Sequence, residues 1–389
     1  MGAVQSAPGL RPGTWNEVEE ANVIVTMKGL RVLALSAVAT LVLGACAGGT
    51  SPSPSAAPPT SPPASAAPPS EEPSVEPGTL PTPEQTSLTV GLSVTEMSQF
   101  AAALAVDAGI FEKYGIDAEY SVFEGDARVA AALQAGQVDV GLHGTSSAIS
   151  SQLTDAPFTV VAVNAVILTD DLVCQSGIDT AEEVKGKSIA ISTFGGTSNA
   201  AALLALKGLG LAANDAAITQ VGGQSARLAA LQGGSIDCAV IDSNIEDQMI
   251  AEGFAIAINL KTEQIPFGRS GMSFLGDYIA ANPNTVLVTV AAVLEAQNSI
   301  WDDPAAAAEA YAEFTGLSAE DARAQVDDFI EIGNRSLMWT DEALINAQKA
   351  IAVVNPDIID VTIADVGDES FLQTLVDNGF YEKIGNPVP

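Results

Sequence analysis

One local unit occurs twice in this chain, and it constrains the fold more tightly than any composition figure. Arg128-Val-Ala-Ala-Ala-Leu-Gln-Ala-Gly-Gln-Val-Asp-Val140 is paralleled by Arg227-Leu-Ala-Ala-Leu-Gln-Gly-Gly-Ser-Ile-Asp-Cys238. Each copy reads as a helix closed by glycine, then a strand opened by an aspartate. Gly136 and Gly234 suit the left-handed position past a helix C-terminus, which a residue without Cβ adopts at no steric cost. One copy per half implies two lobes of like topology; chance recurrence of a common helix–turn–strand unit is the alternative.

The surrounding pattern alternates strand and helix. Residues 88–93 form a β-type run, and Met97, Phe100, Ala101, Leu104 and Ala108 then fall at helical spacing. Strands follow at 116–123, 138–142 and 158–168, with a helix at 126–134 between the first two. The order restarts with strands at 188–192, 217–221 and 236–241 and helices at 198–209 and 225–232. Such alternation predicts an α/β fold with parallel sheets covered by helices on both faces. Beyond about Ser270 the chain reads as helical: from Pro283 to about Trp301, then 304–315, 318–331, 341–353 and 368–378.

The N-terminal part carries no such pattern. From Met27, Lys28 and Arg31 precede an apolar run, Val32 to Leu43, that ends in Leu43-Gly44-Ala45-Cys46. Roughly a dozen residues fall short of the about 20 that span a bilayer. They fit a secretory signal segment, 27–45, with 1–26 an over-extended start. Leu-Gly-Ala-Cys resembles the lipobox of bacterial lipoproteins, which implies lipidation of Cys46. Residues 46–86 are then the lipidated cysteine and a disordered Ser/Pro/Ala tether, because so few apolar residues cannot offset the entropy of ordering.

A formal charge of −33 would be repelled by phosphate backbones, so nucleic acid is excluded as a partner. Cys174 and Cys238 are isolated, and Cys238 lies in an apolar strand pattern where a free thiol packs as a small hydrophobe; unpaired cysteines are the expectation. With one histidine and no clustered Cys/His spacing, no metal site and no cofactor are expected.

Four segments carry a family resemblance: Asp107-Ala-Gly-Ile-Phe-Glu-Lys-Tyr-Gly-Ile-Asp-Ala118; Ala132-Leu-Gln-Ala-Gly-Gln-Val-Asp139; Val184-Lys-Gly-Lys-Ser-Ile-Ala190 with Phe194-Gly-Gly-Thr-Ser-Asn199; and Ala230-Leu-Gln-Gly-Gly-Ser-Ile-Asp237. In this order they resemble the nitrate/sulfonate/taurine-type substrate-binding lipoproteins of ABC importers. The resemblance implies a two-lobed type II periplasmic-binding-protein-like fold with a ligand cleft between lobes. Lobe 1 would comprise 87–168 and 270–389, and lobe 2 would comprise 169–269. It also implies a monomer, anchored by lipid to the outer face of the cell membrane or its periplasmic side, whose partners are a small solute and a membrane permease.

In open α/β sheets ligands sit beyond the C-terminal strand ends, where helix N-termini point. Five turns qualify: Thr95-Glu96-Met97, Glu124-Gly125-Asp126, His143 to Ser147, Thr193 to Asn199, and Asp242-Ser243-Asn244. The ligand-binding candidates are Glu96, Met97, His143, Thr145, Ser146, Gly195, Gly196, Thr197, Ser198, Asp242, Asn244 and, beside the return crossover, Arg269. Thr, Ser and Asp at these places also serve as ordinary helix N-caps. Arg128 and Arg227 take equivalent repeat positions and read as structural. Hydroxyls at helix N-termini favour an anionic solute of sulfonate or nitrate type. A carboxylate lining the cleft, from Glu96 or Asp242, would instead favour an amine or a heterocyclic N–H donor.

Pyrimidine precursors and aromatic acids are alternatives on the same scaffold, as is a ligand-sensing ectodomain. An enzyme is not expected. Related pyrimidine-precursor synthases carry a cysteine-rich iron motif that these isolated cysteines do not form, and the sole histidine has no evident partnered nucleophile.

Overall fold

A strand of about six residues cannot bury both faces alone, so the alternating pattern must resolve into layers. In the computed structural model, which describes residues 77–387, it resolves into two sheets. The strands are β1 (Ser87–Leu92), β2 (Asp117–Val122), β3 (Val140–His143), β4 (Phe158–Ile167), β5 (Asp170–Cys174), β6 (Ser188–Ile191), β7 (Ala217–Gln220), β8 (Cys238–Asp242), β9 (Ala255–Asn259) and β10 (Pro266–Leu275). One sheet has the order β2-β1-β3-β10-β4 and the other β7-β6-β8-β5-β9. Position by position the two orders match, and the fold is the two-lobed type II arrangement.

The sheets are mixed rather than parallel. β1, β2 and β3 run parallel, as do β6, β7 and β8. β10 runs antiparallel to β3 and β4, and β5 runs antiparallel to β8 and β9. The added strands are the ones sequence periodicity does not reveal. β10 is Pro-Phe-Gly-Arg-Ser-Gly-Met-Ser-Phe-Leu, whose glycines and arginine break the apolar alternation, though it is buried through most of its length. Its ladder to β4 begins at Pro266 opposite Ile167. Arg269 therefore stands on a strand of the first lobe, and the return crossover lies before Pro266 rather than at 270. The outgoing crossover is only Leu168-Thr169.

Internal symmetry extends to side chains. Asp139 accepts hydrogen bonds from the Thr89 backbone N–H (2.7 Å) and hydroxyl (2.7 Å). Asp237 accepts the same pair from Ser188, at 2.9 and 2.7 Å. Gly136 and Gly234 both have positive φ, 65° and 67°. Matching Asp139 to Asp237 and Gly136 to Gly234 sets Arg227 opposite Val129, not opposite Arg128. Arg128 is exposed, whereas Arg227 is buried at a position that is apolar in the first lobe.

The first lobe holds the larger core. Helix Met97–Asp107 presents Ala101, Ala102 and Ala103, all inaccessible, so helix Pro283–Asp302 approaches it closely. In the second lobe one buried cluster centres on Val173, Ala190, Leu231, Ala239, Ile241 and Met249, and Leu172, Ile189, Ile191, Leu206 and Val240 are buried as well. There Cys174 and Cys238 are joined in a disulfide, S–S 2.04 Å, contrary to the expectation of free thiols. The cause is register: antiparallel pairing of β5 with β8 sets the two cysteines directly opposite.

The folded part also begins earlier than residue 87. The Glu84 carboxylate accepts from the N–H groups of Asn284 and Thr285, capping the start of helix Pro283–Asp302. Gln85 bonds Asn282 and Thr285, and Leu80 packs on the first core. Residues 77–86 thus belong to the first lobe and not to a tether. Cys46, the signal segment and the rest of the proposed tether lie outside the described residues.

Candidate functional site

Three of the nominated turns face one another across the lobes. Helix Asp126–Gln134 begins in the first lobe opposite helix Thr197–Gly208 of the second. A backbone N–H at a helix start lacks an intrahelical partner and carries part of the helix dipole. The Thr197 N–H donates to Asp126 Oδ2 at 2.7 Å. In return the Ala127 N–H donates to Thr193 Oγ1 at 3.4 Å. Each lobe therefore caps the other's helix. The approach requires glycine: a Cβ at Gly144 would stand 1.9 Å from Thr197 Oγ1, and one at Gly196 would stand 2.8 Å from Asp126 Oδ2.

Arg269 occupies the centre. Its guanidinium donates to Glu96 Oε2 (2.8 Å), Ser98 Oγ (2.9 Å), Asp170 Oδ2 (3.3 Å) and Asp242. Glu96 and Ser98 belong to the first lobe, Asp170 and Asp242 to the second, so one buried cation joins both. Burial alone would favour its discharge, yet Asp170, Glu96 and Asp242 together hold its pKa above the ordinary arginine value. The same burial pushes Asp170 upward and Asp242 up to about 7, against the opposing pull of Arg269. Three carboxylates face the Arg269 guanidinium, and the buried Arg227 adds a second positive charge near Glu96 and Asp170.

Two cavities flank this cluster. One of about 380 Å³ is lined by Glu96, Asp126, Asp170, Thr197, Ser198, Arg227 and Arg269 among others. The second, about 520 Å³, adds apolar walls from Met97, Ile167, Phe329 and Ile332 to the polar groups of Asp242, Asn244 and Arg269. Helix Ala319–Ile332 closes its outer side: the Asn244 side-chain amide donates to Gln325 Oε1 at 2.8 Å, and Lys261 pairs with Asp328.

The structure thus gathers Glu96, Met97, Thr197, Ser198, Asp242, Asn244 and Arg269 around the cleft. Ser198 Oγ accepts from the Ser192 N–H at 2.8 Å, as Gln99 Oε1 accepts from Ser93 in the first lobe. Gly195 and Gly196 shape the turn, with Gly195 donating to Asn199 Oδ1. Three candidates fall elsewhere. His143 is inaccessible, its Nδ1 on the Gly144 carbonyl and its ring 5.6 Å from Phe158, and burial lowers its pKa. Thr145 spends its hydroxyl on the Gly268 carbonyl at 2.7 Å. Ser146 is buried, and neither it nor Thr145 or His143 lines either cavity.

Residues missed from sequence are Ser98, Asp126, Asp170 and Arg227. Asp126 lay in a nominated turn, and its place at a helix start was the available signal. Asp170 is on a strand that carries none. Arg227 donates to the carbonyls of Val240 (2.8 Å) and Gly222 (3.1 Å), while lining the smaller cavity.

Residues 81–315 match the NMT1-like family, more than half of the chain. A Brucella abortus protein named only as a candidate binding protein is 33% identical over 89 residues, which span 23% of this chain and 27% of that protein. Among solved structures, the alkanesulfonate-binding protein SsuA of Xanthomonas axonopodis pv. citri, bound to MOPS, is 19% identical with a TM-score of 0.60. That match covers 73% of this chain and 99% of the other. The periplasmic nitrate-binding protein NrtA of Synechocystis PCC 6803 is 15% identical with a TM-score of 0.59, over 76% of this chain and 90% of the other. The desulfurization enzyme DSZB also shares the fold, at 15% identity and a TM-score of 0.50. The neighbours are thus mainly solute-binding proteins, with one named as an enzyme.

Proposed function

This chain belongs to the NMT1-like family, and from that premise we propose that it captures a small solute outside the cell for an ABC importer. The observation that carries the reading is the Arg269 cluster: one buried guanidinium bonded to groups of both lobes and lining two cavities. A solute held there touches both lobes and is stabilised most when they are closed, so its binding shifts an open–closed equilibrium toward closure. The closed form is what a permease distinguishes from the open one. Export, lipidation at Cys46, a tether reaching to about residue 76 and a monomeric state complete the proposal. Its support is the basic, apolar and small-residue order that ends at Cys46.

The sole histidine is buried in the first lobe and lines neither cavity, so it does not reach a solute there. The test is a thermal-shift screen of amines, sulfonates, nitrate, pyrimidines and aromatic acids, followed by small-angle scattering with any hit. A solute at 100 times its dissociation constant should add about 2.7 kcal/mol of stability and reduce the radius of gyration. A hit that stabilises the protein without compaction would remove lobe closure from the mechanism.

A further inference from the structure

We propose that the cleft selects a small organic cation and that Asp126 sets this selectivity; the inference rests on the solute-capture reading above. An oxyanion needs free donors, and the backbone donors of the second-lobe turn are already engaged by the protein, although Arg227 keeps N–H groups beyond the two it gives to carbonyls. The Thr197 N–H is on Asp126, and the Gly195 N–H is on Asn199. Arg227 is held by two carbonyls, and Arg269 by three carboxylates and Ser98.

The carboxylates have capacity to spare. Glu96, Asp126 and Asp170 line the smaller cavity, and each engages a hydrogen-bond donor through one carboxylate oxygen. A carboxylate accepts through both oxygens, so each retains a place for an N–H donor. An ammonium group entering here meets three carboxylates against the two guanidinium groups of Arg227 and Arg269, a balance that favours it over a sulfonate in low-dielectric surroundings. Where Glu96, Asp170 and Asp242 converge, the Arg269 guanidinium already stands, and no metal-binding cluster occurs among the described residues. Met97, Ile167 and Phe329 wall the adjoining cavity, which shares Ser98 and Arg269 with this one, so an apolar part of the solute has a place next to the charges. Asp126 acts twice: it presents a carboxylate to the cavity, and it occupies the helix N-terminus that an anion would take.

Calorimetry on the full chain with ethanolamine, choline and putrescine against nitrate and ethanesulfonate tests this. At least one amine should bind, and neither anion should. Asp126→Asn keeps an acceptor for Thr197 but loses the charge, and it should weaken that amine by about tenfold or more. Asp126→Ala frees the Thr197 N–H and should gain measurable ethanesulfonate binding. Wild-type protein that binds nitrate or ethanesulfonate in preference to every amine would overturn the cation assignment while leaving solute capture intact. An amine that binds Asp126→Asn as tightly as wild type would overturn the role of Asp126. If the wider screen finds no binder of any class, solute capture itself fails.

Discussion

At the foot of the first sheet Asp139 receives the N–H and hydroxyl of Thr89, and in the second lobe Asp237 receives those of Ser188. The strand orders match as well. Yet the lobes are stabilised differently. The first is packed by the C-terminal helices and by residues 77–86, whereas the second has the Cys174–Cys238 disulfide joining β5 to β8. A frame can therefore be kept while its means of support changes. Among the described residues, only the second lobe holds a covalent link.

The largest effect is expected where the lobes meet. Arg269→Met leaves Glu96, Asp170 and Asp242 without their shared cation, and breaking a buried pair in this way costs about 3–5 kcal/mol. Urea unfolding at pH 8 measures it, and a loss under about 1 kcal/mol would break the account of one cluster joining both halves.

Next comes the disulfide. Replacing Cys174 and Cys238 together by serine should cost about 2–4 kcal/mol. Hydrogen exchange should show the loss in β6 and β8, with β1 and β3 unchanged. Equal loss in both lobes would erase the contrast drawn between them.

The smallest effect is a gain. Asp171 is buried in the second lobe; Ser243 donates to one of its oxygens at 2.9 Å, and the other has no partner. Burial, with Glu246, Asp242 and Asp170 nearby, pushes its pKa up to about 8. Between the unfolded value of about 4 and this folded value, the native state holds the proton more tightly, so stability falls as pH rises through that window. Asp171→Asn should therefore stabilise by about 1–3 kcal/mol at pH 8 and by little at pH 4. A gain independent of pH would show that the charge is not the cause.

Much of the fold was legible because helices and half-buried strands announce themselves by period. Helices read from 304–315 and 341–353 appear as Pro304–Thr315 and Asp341–Ala352. β10 was not legible, since Gly268, Arg269 and Gly271 interrupt its apolar pattern, and the antiparallel half of each sheet went with it. Among site residues, turn chemistry pointed to Thr197, Ser198 and Asp242. It pointed equally to Thr145 and Ser146, which the structure turns inward.

The sequence by itself determined the α/β class, the two like halves and the turns from which a site could be made, because spacing and glycine placement are local properties. Only the tertiary structure decided which turns face the cleft, that Cys174 meets Cys238, and that Asp126 reaches Thr197 while Arg269 gathers carboxylates from both lobes. Those pairings join residues far apart in the chain. Burial and strand register, which no local pattern encodes, select them.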